Sequence, residues 1–131
     1  MIVLDTSAAV ELLLALPLSG RVREQLDRSD WQIAAPQLLS IEILQVLRRR
    51  VSAGVTLLAE AEQARVLLHD LNIRYFDHGV LAERIWQLRD NLTAYDAAYV
   101  ALAEELNVAL VTSDARLANA PGSAAHICLI S

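Results

Sequence analysis

The chain has 131 residues, 55% hydrophobic and 21% charged, with a net charge of −5 at pH 7. Such a length and balance suit one globular domain with its own core, and they exclude a disordered chain. The negative charge excludes a generic nucleic-acid coat, which needs a basic surface, but not an enzyme that meets nucleic acid through bound cations.

In chain order, residues 2–4 read as a short buried strand that breaks at Asp5-Thr6-Ser7 into a helix over about 7–14. A loop at Pro17 and Gly20 leads to a helix over about 21–26, then to a strand over 31–34. Pro36 suits the first position of a long helix reaching about Ala53 and stopped by Gly54. A helix over 56–71 follows, with Leu57, Leu58, Ala61, Ala64, Leu68 and Leu71 at helical spacing. Residues 73–76 form a strand and 79–89 a helix, and Thr93 opens a helix that ends near Leu106-Asn107. The strand over 108–111 stops at Thr112-Ser113-Asp114. A short helical turn, a Pro121-Gly122 break and a strand over 127–130 follow, and Cys128 in that last strand suits a core role.

Short apolar strands alternating with helices predict an α/β fold, one domain over residues 1–131, with a parallel sheet covered on both faces. The apolar stretch 12–18 holds Pro17 and adjoins Glu11, too short and interrupted to span a bilayer. The opening Met-Ile-Val-Leu-Asp lacks a basic n-region, and a lone cysteine forms no internal disulfide, so a cytoplasmic location is expected.

Ligands of parallel sheets bind beyond the carboxyl ends of the strands, and Asp5 and Asp114 each follow a predicted strand there. Most of the sixteen acids are read as solvated charge, among them Glu60, Glu62, Glu83, Glu104 and Glu105 on polar helix faces. Asp5 could equally serve as a turn or cap residue, and Asp114 could cap the short helix after it. Asp96, in Thr93-Ala94-Tyr95-Asp96, fits a capping box, its carboxylate reaching back to the Thr93 amide. Glu42 has no cap to make. It shares a helix face with Gln45 and Arg49, away from the stripe of Leu39, Ile43, Val46 and Leu47, and Arg49 is its candidate surface partner. A carboxylate cluster built from these four would repel itself without a cation, and Mg²⁺ or Mn²⁺ prefers such oxygen ligands.

Four segments together resemble the PIN-domain ribonucleases, and within them the VapC toxins of VapBC toxin–antitoxin pairs. They are Met1 to Ala8 with Asp5-Thr6-Ser7, Glu42 on its helix, Leu92 to Ala103 with Thr93-Ala94-Tyr95-Asp96, and Leu110-Val111-Thr112-Ser113-Asp114. The resemblance implies a three-layer α/β/α sandwich around a central parallel sheet, with an acidic pocket at its carboxyl edge. It places the family's four acids on Asp5, Glu42, Asp96 and Asp114 as catalytic and metal-binding residues, with Glu42 acting through a water. Thr112 falls on the family's supporting hydroxyl, and Thr6 and Ser7 on its small polar positions. Further implications are Mg²⁺ or Mn²⁺ as cofactor, RNA as substrate, a homodimer, and a VapB-like antitoxin that reaches the carboxylates with an arginine. An inactive PIN-like domain that only binds RNA or a partner is the alternative.

The cations are eleven arginines with no lysine. Arginine suits bidentate phosphate contacts, while the absence of lysine beside so much Ala and Leu fits coding bias, which is the preferred reading. Arg48-Arg49-Arg50 is assigned to complementing a helix dipole rather than to phosphate. A phosphatase of the haloacid dehalogenase type would need a second aspartate where Ser7 stands, and a lysine besides. The missing lysine also counts against a phosphorelay receiver domain.

Overall fold

Five short strands build one parallel sheet in the order β3-β2-β1-β4-β5: β1 Ile2–Leu4, β2 Ile33–Pro36, β3 Arg74–Phe76, β4 Ala109–Thr112 and β5 Ile127–Leu129. The structure, a computed structural model, describes residues 1–131. Helices α1 Thr6–Leu13, α2 Ser19–Arg28, α3 Leu38–Ser52 and α4 Leu58–Asp70 fill the first two crossovers, and α5 Ala82–Gln87, α6 Ala94–Leu106 and α7 Ala115–Ala118 the last two. The chain steps outward from β1 through β2 to β3, then returns past β1 to β4 and β5. Right-handed crossovers taken in opposite directions put their helices on opposite faces, which gives the three layers expected from the sequence.

β1 and β2 are buried along their whole length, and β1 hydrogen-bonds to strands on both sides. That accounts for continuous apolar runs in place of alternation. α6 packs across β1, β2 and β4 with α5 beside it, and seven consecutive residues, Ala97 to Ala103, are buried. Alanines at Ala97, Ala98, Ala101 and Ala103 let this helix sit close to the sheet. On the other layer α1 packs against α2, α3 and α4. No helix is long and apolar enough to cross a membrane.

Several expected boundaries move. Pro36 does not open α3. It is the last residue of β2, paired with Phe76, and at a strand end its missing N–H interrupts no later rung of the ladder. The expected start at Trp31 is also displaced, because Asp30 and Trp31 adopt left-handed φ of 54° and 56° and form the turn before β2. The helix expected over 79–89 divides into a 3-10 turn, Gly79–Leu81, and the short α5. Gly54, at φ 72°, ends α3 as expected, in a conformation that glycine adopts without strain.

Candidate active site

The order of the strands places a topological switch point between β1 and β4, where the loops leaving the carboxyl ends of two neighbouring strands diverge. Asp5 leaves β1 there, and Ser113-Asp114 leave β4. Hydrogen bonds stitch the two loops together. Ser113 N–H donates to Ser7 Oγ at 2.9 Å, and the Ser7 and Thr112 hydroxyls lie 3.2 Å apart.

Asp5 is buried and fully engaged. Its Oδ1 accepts from Ala8 N–H at 3.0 Å and from the Ser7 hydroxyl at 2.7 Å, and its Oδ2 accepts from Thr112 at 2.5 Å. It is therefore the N-cap of α1, as one sequence reading allowed. A cap needs one acceptor, however, and here both oxygens are held. Burial pushes the Asp5 carboxyl above its ordinary value, the three donors pull against that, and the charge of Asp114 adds to the rise.

Glu42 lies in the second turn of α3. Leu38 N–H near the start of that helix is held by His78 Nε2 at 3.1 Å. The expected surface pair with Arg49 does not form. Instead Tyr99 O–H donates to Glu42 Oε1 at 2.5 Å and Thr6 O–H donates to the same oxygen at 2.8 Å. Both donors converge on Oε1, so Oε2 carries no bond and stays open to solvent. Burial and the bond to Glu42 hold the Tyr99 phenol well above its ordinary range, so it stays a donor.

Asp96 and Asp114 complete the set. The capping box expected at Asp96 is half formed: Thr93 Oγ1 accepts from Asp96 N–H at 3.2 Å, but the carboxylate turns to Arg116, whose Nη2 lies 3.2 Å from Oδ2. Asp114 caps α7, its Oδ1 accepting from the Arg116 and Leu117 amides, while Oδ2 lies 3.5 Å from the same Nη2. Burial raises the Asp96 pKa above its ordinary value, as do the charges of Asp114 and Glu42. Arg116, and the hydrogen bond at Thr93, oppose the rise.

Asp5, Glu42, Asp96 and Asp114 thus line one pocket of about 500 Å³, together with Thr6, Ser7, Gln45, Arg49, Tyr95 and Tyr99. Thr112 is not on the lining. It is fully buried behind Asp5, which it orients. Of the three consecutive arginines, Arg48 bonds Gln45 and Arg50 bonds Thr56. Arg49 faces the pocket, beyond the dipole role expected for all three. The donor set suits a hard divalent cation, being carboxylate and hydroxyl oxygens with no imidazole or thiolate. In this arrangement no three acidic side chains already stand as one coordination shell; instead Arg116 offsets their charge.

Two participants were not assigned from the sequence. Tyr99 stands three residues after Asp96 on the same helix, and a tyrosine within a buried alanine-rich stretch signals a hydroxyl that needs a partner. Arg116 left no comparable signal, since its partners are fixed only by the fold.

Residues 2–123 match the sequence profile of the PIN domain. Ribonuclease VapC1 of Mycobacterium tuberculosis is 40% identical in an alignment covering 98% of this chain and 96% of that protein. Ribonuclease VapC12 of the same organism is 38% identical, with both chains covered completely. In the crystal structure of VapBC2 from Rickettsia felis bound to a promoter DNA fragment, one chain superposes with a TM-score of 0.73 at 15% identity, covering all of both chains, which is a likeness of fold. The chain belongs to the PIN-domain family, alongside its VapC ribonucleases.

Proposed function

We propose that the acidic pocket is the active site of a Mg²⁺- or Mn²⁺-dependent endoribonuclease, the toxin of a toxin–antitoxin pair. The observation that carries this reading is the gathering of Asp5, Glu42, Asp96 and Asp114 from four separate segments into one pocket. Ribonucleases among the relatives support RNA as the substrate. The cation would be held by Asp5, Asp96 and Asp114, with Glu42 reaching it through a water. When bound, it supplies charge neutralisation for the phosphodiester and lowers the pKa of a coordinated water.

The protein's own groups do the remaining work. Ser7, Thr112 and the Ala8 amide fix the Asp5 carboxylate, so it need not reorganise during reaction. Tyr99 and Thr6 clamp Glu42 Oε1 and present Oε2 to accept a proton from the attacking water. Hydrolysis on this scheme leaves a 5′ phosphate and a 3′ hydroxyl. Single-domain organisation over 1–131, a cytoplasmic location, a homodimer and a VapB-like antitoxin complete the reading. Exposed Ile41, Leu44, Leu58 and Val66 on α3 and α4 support protein partners.

Purified protein is expected to cleave a structured RNA with Mn²⁺ or Mg²⁺, and EDTA or Asp5→Asn should abolish cleavage. Cleavage that survives either treatment refutes the metal mechanism, and RNA binding without cleavage points to the binding-only alternative.

A further inference from the structure

Beside the acidic pocket lies a second cleft, of about 340 Å³, lined among others by Arg89, Asp90, Asn91, Thr93, Asp96 and Arg116. Asp96 belongs to both cavities. Arg116 stands at their junction. Its backbone N–H donates a hydrogen bond to Asp114 Oδ1, but its guanidinium is held only by the ion pairs with Asp96 and Asp114 at 3.2 and 3.5 Å. The side chain is 77% exposed.

Arg89, also on the lining of the cleft, is held differently. Its Nη1 donates to the Trp86 carbonyl at 3.0 Å and its guanidinium lies 4.6 Å from the Trp86 ring centroid. No acid forms an ion pair with it, and Asp90 on the same lining makes no bond to it. The cleft therefore has one free cation, and a second whose charge is engaged in the neighbouring pocket.

Exposed ion pairs are weak, and an arginine side chain re-orients within nanoseconds. A divalent cation at the same carboxylates would both outcompete the guanidinium and repel it. A guanidinium driven from carboxylate oxygens finds its best new partner in phosphate, which offers the same planar pair of acceptors. We propose that Arg116 is the resident counter-ion of the acidic pocket, displaced when a divalent cation loads. It then turns into the adjoining cleft, where Arg116 and Arg89 together bind the RNA phosphate next to the scissile one. This inference rests on the proposed ribonuclease reading. It couples RNA capture to cation loading in a protein whose net charge is −5, and the coupling runs both ways.

Removing this one positive charge should help the cation and hinder the RNA, a pairing that a purely structural role does not produce. Calorimetric titration of Mn²⁺ into the full chain without RNA is expected to show Arg116→Gln binding about fivefold tighter than wild type, with Arg89→Gln unchanged. Anisotropy of a labelled single-stranded RNA, measured with Mn²⁺ in a Glu42→Gln background to suppress cleavage, should show either arginine variant binding about fivefold weaker. The salt slope should fall by about 0.7 for each arginine–phosphate pair removed. Equal or weaker Mn²⁺ binding by Arg116→Gln overturns the inference, as does RNA binding that ignores both substitutions. A wild-type chain that binds no Mn²⁺ overturns it together with the ribonuclease reading, whereas wild-type binding without a gain in Arg116→Gln overturns this inference alone.

Discussion

Helix α6 carries one acid in its first turn and another near its end, each beside an arginine, and the two pairs differ in almost every physical respect. At the far end Glu104 accepts two bonds from Arg84, at 2.7 and 3.1 Å, and a third from the Ala124 amide at 2.9 Å. Arg84 also reaches the Gly122 carbonyl, so this pair pins the loop before β5 onto α5 and α6. Partial burial alone would raise the Glu104 pKa, but the arginine and the amide outweigh it and bring the carboxyl below its ordinary value. At the near end Asp96 has a single long contact to Arg116, two acidic neighbours, and a pKa shifted upward. One pair is closed, with its charge matched in place. The other is open, with more negative charge than the protein supplies cations to match. That surplus is what a ligand can use.

The sharpest way to break the contrast is to neutralise each acid in turn. Asp96→Asn is expected to lower RNA cleavage by about 10³-fold, the scale of losing a group that stabilises transition-state charge, whereas Glu104→Gln should leave it within about twofold. Initial rates on one RNA decide this, and equal losses would remove the distinction. Next in size are the groups that hold the acids. Thr112→Val and Tyr99→Phe should each lose about 10–100-fold in activity while the protein stays folded, because outer-shell partners act through the carboxylates they orient. Full activity in Tyr99→Phe would show that Glu42 needs no clamp.

Stability should rank the arginines the other way. Arg84→Ala is expected to cost about 1–2 kcal/mol in urea unfolding, from the loss of two charged hydrogen bonds and a pinned loop. Arg116→Ala should change stability by less than about 0.5 kcal/mol, its pairs being exposed and long. The smallest effect is in pH dependence, where the signs oppose. For Asp96, raised from 3.8, the native state holds more protons than the unfolded chain. Its stabilisation is present at acid pH and lost as pH rises through the raised value. For Glu104, lowered from 4.5, stabilisation is present above that value and lost as pH falls through the depressed one. Relative to wild type, the Tm of Asp96→Asn should therefore rise by about 2 °C between about pH 4 and pH 7, and that of Glu104→Gln should fall by a similar amount. Thermal scans at both pH values would show a shared sign if the contrast is false.

Glu104 also marks where the sequence ceases to be legible. Its sequence context is that of a solvated helix-face charge, because its partners, Arg84 and Ala124, stand twenty residues away on either side. Nothing local announces such a pair. The same holds for Arg116 and for the Thr6–Tyr99–Glu42 cluster, whose members are 36 and 93 residues apart along the chain from Thr6. Local signals fare better. The apolar run ending at Asp5 and the strand ending near Asp114 are period and turn chemistry; the first lies where the sequence places it, and the second one residue later, with Thr112 as its last residue. Strand edges at Trp31 and Pro36 move because backbone conformation, invisible in composition, decides them. Convergence of the four acids is suggested by their order in a family-like chain and by the crossing rules of parallel sheets, and not by any one residue.

That convergence is tested most directly by cation-dependent stability at the two ends of α6. With Mn²⁺ in large excess, wild type and Glu104→Gln should both gain about 5–10 °C in Tm, as binding to the native state alone requires. Asp96→Asn should gain little or nothing. An Asp96→Asn protein stabilised by Mn²⁺ as much as wild type would contradict the claim that these carboxylates form one cation site.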